Sequence, residues 1–215
     1  DPRTMYDGGE GGDPDDVLRV SQTVDEVVLL PTGRVGTGEV RVNFTHVNVT
    51  GSAAVEVVVA ASLSITPRPY PAYGGSGSVV ETALSPLAGS GVYQEAVFDA
   101  VLELSDGTTH SVSGADAMAY ELSEAGVLRL VGANRVQRAG SVTGPAQVEV
   151  RGVFGSTFAG QSNVTSAGVG MLLSNVSLSV ASVDSLTFVS TLSGQAGVST
   201  SQARCGMTLS DGTRW

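Results

Sequence analysis

Asparagine is the residue type whose spacing in this chain carries chemistry. Four of the five asparagines open an Asn-x-Ser/Thr tripeptide with no proline in the middle: Asn43-Phe-Thr45, Asn48-Val-Thr50, Asn163-Val-Thr165 and Asn175-Val-Ser177. Such a tripeptide is the acceptor for N-linked glycan transfer, in which the amide nitrogen takes the sugar and the hydroxyl two residues on completes the motif. Serine and threonine make up roughly a fifth of the chain, so random placement would give about one such tripeptide. Asn43, Asn48 and Asn175 fall on the polar phase of alternating stretches, where a glycan would meet solvent. Used acceptors imply a eukaryotic secretory protein; coincidental ones fit a Ser/Thr-rich bacterial protein.

Other reactive types are sparse. Nucleophilic catalysis needs a base beside a serine or cysteine. The two histidines, His46 and His110, stand near neither a GxSxG turn nor the single cysteine, Cys205, so both read as surface histidines. All eleven basic residues are arginine, which excludes lysine Schiff-base chemistry. There is no CxxC, no HxxxH and no spaced acidic loop closing on glutamate, so no metal or other cofactor is expected. The acidic, glycine-rich run at 7–16 reads as a solvated loop, with calcium binding as the alternative. A net charge of −10 argues against a nucleic-acid partner. No apolar run is long enough to cross a bilayer as a helix. One cysteine precludes an internal disulfide framework.

The elements that carry these residues read as short strands. Aromatics are 5% of the chain, so valine, leucine and alanine must fill any core, and 28 glycines point to tight turns. The pentapeptide LSDGT occurs twice, at 104–108 and 209–213, with Ser105 and Ser210 separated by 210 − 105 = 105 residues. Asp106-Gly107 and Asp211-Gly212 are hairpin-turn signals, because both residue types tolerate positive φ. Each copy follows an apolar run, AVFDAVLEL and ARCGMTL. That spacing suits one β-sandwich per repeat. Strands are expected at 17–20, 26–30, 39–50 with a bulge near His46, 53–66 (one central strand or two consecutive ones), 96–104, 109–113, 117–122, 127–131, 147–155, 169–183 and 186–192, and a loop at 136–144. The offset of 105 places Cys205 at Ala100, a small buried position; a bridge to a cysteine outside the chain is the alternative. Weaker similarity carries the repeat back: EVRVNF at 39–44 is similar to EVRGVF at 149–154.

The division that follows has four parts. Residues 1–66 are the later strands of one sandwich, and 67–91 a Pro/Gly/Ser-rich linker or long loop. Residues 92–183 are a sandwich, and 184–215 the start of a further one. The chain opens on Asp1 and its second LSDGT copy stops at Trp215, so a processed or truncated start and an array cut inside a domain are expected.

The LSDGT hairpin, the THSVS strand after it, an aromatic at Tyr120, VLRLVGANRV and the late GPAQVEV strand resemble the group 2 bacterial immunoglobulin-like (BIG2-type) repeat, over about half the chain. Tyr120 stands where that family usually has tryptophan. The resemblance implies tandem all-β immunoglobulin-like sandwiches and a structural or adhesive role without catalysis. Its partners would be other copies or further domains of the same long chain, other surface glycoproteins and N-linked glycans, at an extracellular or cell-surface location. A mastigoneme-like ciliary surface fibre fits the Lys-free, Gly/Ala/Val-rich composition. A bacterial or phage adhesin is the alternative. A further one is a carbohydrate-binding sandwich that stacks sugars on Tyr70 and Tyr73.

Overall fold

Strict alternation in residues 95–104 dictates a strand with one wet and one dry face, since successive side chains of extended chain point to opposite sides. Ala96, Phe98, Ala100 and Leu102 are buried there, while Asp99, Val101 and Glu103 are exposed. The computed structural model describes residues 18–22, 27–31, 34–44, 49–155, 162–187 and 204–214. Its first strands are β1 (Leu18–Gln22), β2 (Val27–Pro31), β3 (Gly36–Phe44), β4 (Val49–Val57), β5 (Ala60–Tyr70) and β6 (Ala83–Leu84). Next come β7 (Glu95–Leu104), β8 (Thr109–Ser111), β9 (Met118–Leu122), β10 (Leu128–Val131) and β11 (Arg135–Arg138). The last are β12 (Ala146–Phe154), β13 (Val164–Thr165), β14 (Val169–Leu173), β15 (Val180–Thr187) and β16 (Arg204–Leu209). The fold is all-β.

Two five-stranded sheets form a sandwich. One runs β10-β11-β7-β5 with β8 also on β7; the other runs β13-β12-β14-β6 with β9 also on β12. Their inner faces share one core. Leu63, Ile65, Phe98, Leu102, Leu128 and Val136 meet Leu84, Met118, Tyr120, Val148, Val150, Met171 and Leu173. Phe98 lies at its centre and stacks on Tyr120, with ring centroids 5.4 Å apart. Burying such a ring contributes roughly 2–3 kcal/mol. Gly152 is required on β12, because a Cβ there would stand 2.6 Å from Met118 Cε and 2.7 Å from Ile65 Cγ2.

Several expectations need correction. The boundary expected at residue 66 falls inside β5, which pairs with β7 from Ala60↔Leu104 to Tyr70↔Glu95. The sandwich therefore takes in residues 60–66, and the proline-rich stretch begins as strand. Prolines are tolerated because β5 is an edge strand. Pro67 faces away from β7: its partner Phe98 directs its own N–H to Asn134 O, and Pro67 O accepts from Glu81 N–H. Residues 136–144, expected as loop, begin with strand: β11 turns back on β10 at Gly132, where φ is 67°, and buries Val136. Residues 39–50 are two strands, since Phe44 pairs with Val49 and the chain reverses between them. His46, where a bulge was expected, lies outside the described residues. The stretch 53–66 is two consecutive strands, β4 and β5, the second of the two readings its length allowed, and 169–183 divides into β14 and β15. The second division occurs because Ser174 is buried, its N–H bound to Leu84 O and its hydroxyl accepting from Val176 N–H.

Outside the sandwich, β1 pairs with β2, β3 with β4, and β15 with β16.

Candidate functional site

The two LSDGT hairpins fold alike, atom by atom. In the first, Leu104 N–H donates to Thr108 O (2.8 Å) and Gly107 N–H to Leu104 O (2.9 Å). Asp106 Oδ1 accepts from Thr108 N–H (2.9 Å) and from its hydroxyl (2.7 Å). Ser105 N–H donates to Val59 O (2.8 Å), and Ser105 Oγ accepts from Val59 N–H (3.2 Å). In the second, Leu209 N–H to Thr213 O is 2.8 Å and Gly212 N–H to Leu209 O 2.9 Å. Asp211 Oδ1 accepts from Thr213 N–H (2.9 Å) and hydroxyl (2.6 Å). Ser210 exchanges the same pair of bonds with Ser179, at 2.9 and 3.2 Å. Gly107 and Gly212 hold φ at 81° and 84°, the left-handed region that favours glycine. The Thr108 hydroxyl and N–H hold the Asp106 carboxyl below its usual range.

The strands feeding the hairpins match as well. β5 pairs with β7 as β15 pairs with β16, and both pairs carry a bulge at their start, after Ala60 and after Val180; β15 has a second, after Val183, that β5 lacks. Leu63 opposes Leu102 as Val183 opposes Met207, and Ile65 opposes Ala100 as Leu186 opposes Cys205. Burial does not match. Leu63, Ile65, Ala100 and Leu102 are core residues, whereas Val183 and Leu186 are 62% and 55% exposed. Cys205, expected to be buried, is exposed with a free thiol, because among the described residues no second sheet faces β15 and β16.

What covers the second hairpin was not legible in the sequence. Leu209 is 1% exposed, packed with Leu87 and Leu178. Leu87 sits on the loop between β6 and β7, which lies parallel to the segment before β15: Leu178 N–H donates to Pro86 O and Ala88 N–H to Leu178 O, both 2.8 Å. Gln94, 5% exposed, spans the junction. Its Oε1 accepts from Ser85 N–H (3.2 Å), and its Nε2 donates to the Thr213 hydroxyl (2.9 Å). Glu81, buried nearby, is pushed up to about 7, first by loss of solvent and also by the charge of Asp211.

The four Asn-x-Ser/Thr tripeptides are dispersed along the chain. Asn163, just before β13, and Asn175, between β14 and β15, are exposed, as are Thr165 and Ser177. Asn175 is therefore in a connection, not on the polar phase of a strand. Asn43 lies near the end of β3, next to the reversal into β4. Asn48 and the acidic run at 7–16 lie outside the described residues, as do 188–192 of the strand expected at 186–192. His110 is exposed on β8. Tyr120 is buried, its hydroxyl 3.4 Å from Phe98 O and its pKa pushed up to about 12, chiefly by loss of solvent. Of the two tyrosines weighed for sugar stacking, Tyr70 has one ring face covered by the Arg135 guanidinium at 4.7 Å. Tyr73 lines a cleft of about 320 Å³ with Asp184, Cys205, Met207 and Arg214.

No protein-family model matches this chain, and no curated protein matches it.

Proposed function

We propose that this chain is a non-catalytic structural module of a secreted or cell-surface glycoprotein filament, built from tandem immunoglobulin-like sandwiches. The observation that carries the reading is the recurrence of one hairpin, with the same six hydrogen bonds on the same pair of strands, at 104–108 and 209–213. The recurrence extends to the earlier strands. Gly36↔Val57 and Phe44↔Val49 on β3 and β4 match Ala146↔Leu173 and Phe154↔Val164 on β12, β14 and β13. Glu-Val-Arg falls at the same register in both, at 39–41 and 149–151. A unit that repeats its scaffold and varies its surface acts by spacing and joining, not by turnover. N-linked glycans on Asn43, Asn48, Asn163 and Asn175 would keep such modules soluble and apart. The composition and the BIG2-type resemblance favour a mastigoneme-like ciliary surface fibre within this class.

The test is made on protein from its native source. Intact mass should exceed the 21.8 kDa expected of the polypeptide alone over these residues. Enzymatic glycan removal should convert occupied asparagines to aspartate. Four unmodified asparagines would remove the eukaryotic reading and leave the bacterial or phage adhesin in its place.

A further inference from the structure

The two hairpins are twins in bonding and differ in cover. Leu209 is 1% exposed beneath Leu87 and Leu178, whereas Leu104 is only half-buried. Thr213 is half-buried beneath the Gln94 amide, whereas Thr108 is exposed. Val58 stands at the place of Leu178, one residue before the residue that exchanges bonds with the hairpin serine. At the first hairpin, then, the apolar floor (Leu104, Val58) and the polar key (Thr108 Oγ1 held by Asp106) are both present. Among the described residues, only the counterpart of the 85–94 loop is missing.

We infer that the Leu104–Thr108 hairpin is the acceptor half of a joint between units, and that its occupant is the 85–94-type loop of the neighbouring sandwich unit in the filament. The chemistry of that occupant is read from the twin. It offers a leucine to close over Leu104 and Val58, a backbone segment to lie parallel at Val58, and a buried carboxamide whose N–H₂ donates to the Thr108 hydroxyl. Gln94 is suited to that place because one side chain supplies both ends of the bridge. Its oxygen is tied to its own sandwich at Ser85 and its nitrogen reaches the next hairpin. The Gln94 nitrogen reaches both the Thr213 hydroxyl (2.9 Å) and, more distantly, Asp211 Oδ2 (3.5 Å). A buried carboxamide facing a hairpin without that Asp and Thr would be unsatisfied, so the joint selects against such units. Head-to-tail joints of this kind are heterologous and leave an open filament where the rotation between units does not close a ring.

The inference rests on the filament reading but is tested apart from the glycans. In the full chain, Gly212→Val puts a β-branched residue at φ 84° and breaks the second hairpin. That frees the 85–94 loop of each molecule to seat on the first hairpin of another. Sedimentation should then show a mass that rises with concentration through multiples of the chain, beyond any association of the unsubstituted protein. Adding Asp106→Ala with Thr108→Val, or adding Gln94→Ala, should abolish the rise. Leu209→Asp, which breaks the same contact without altering the hairpin backbone, should behave as Gly212→Val does. Two results overturn the inference: no added association in either variant, or association that survives the Asp106 and Thr108 changes. Either would leave the glycan test of the filament reading intact.

Discussion

At the scale of single residues, Gly107 and Glu81 make separable demands. Gly107 has open space around its would-be Cβ, so any cost of substitution there comes from its φ of 81° alone. Gly107→Ala should lower stability by about 1 kcal/mol. Gly114, equally open and without positive φ, should tolerate alanine with little change; chemical denaturation of the two variants makes the comparison. Glu81 answers to pH. Folded, it keeps its proton up to about pH 7, whereas the unfolded chain releases it near 4.5, the ordinary value for a glutamate. Between those values the folded state binds the extra proton, so the contribution to stability is fully present below 4.5 and lost as pH rises through 7. The unfolding free energy from chemical denaturation should fall from about pH 5 to about pH 8 by an amount on the order of 2 kcal/mol, and Glu81→Gln should flatten that slope. A slope unchanged in the glutamine variant would assign the effect to other groups.

At the scale of elements, the paired strands allow a controlled comparison. Ile65 and Leu186 hold the same register against Ala100 and Cys205, yet one is core and the other exposed. Ile65→Ala should cost roughly 2–5 kcal/mol, since it leaves a cavity beside Phe98 and Met118. Leu186→Ala should change stability by less than about 0.5 kcal/mol. Thermal unfolding of both variants reads the difference, and equal losses would mean that the β15–β16 face is covered in solution. On β12, Gly152→Val should cost on the order of 1–3 kcal/mol, because Met118 and Ile65 already occupy the space. β7 was legible because a ten-residue alternation is long enough to fix a period. β11 was not: four residues, RVQR, show one buried valine, and its strand character comes from pairing with both β10 and β7.

At the scale of the whole molecule, the Leu87–Leu178–Leu209 cluster holds the second hairpin against the sandwich. Leu87→Asp should release it without unfolding the sandwich, because Leu87, Leu178 and Leu209 form a cluster separate from the main core. Hydrogen exchange should then speed up at Gly212 and Thr213, while the amides of β7 and β12 keep their protection. Equal acceleration everywhere would mean that the hairpin and the sandwich open as one body.

The sequence by itself determined the all-β class, the hairpins at Asp106-Gly107 and Asp211-Gly212 and most strand positions. Alternation and turn chemistry are local, and so they survive in a one-dimensional reading. Only the tertiary structure decided which β-rich stretches share a core. Residues 60–70 join β7 because an edge strand can carry prolines on its outward side. Cys205 is exposed although Ala100, its register twin, is buried, because burial depends on a facing sheet that no local pattern encodes. Gln94 and Glu81 passed unnoticed for the same reason. Each is an ordinary polar residue until the fold brings a hairpin more than a hundred positions away against it.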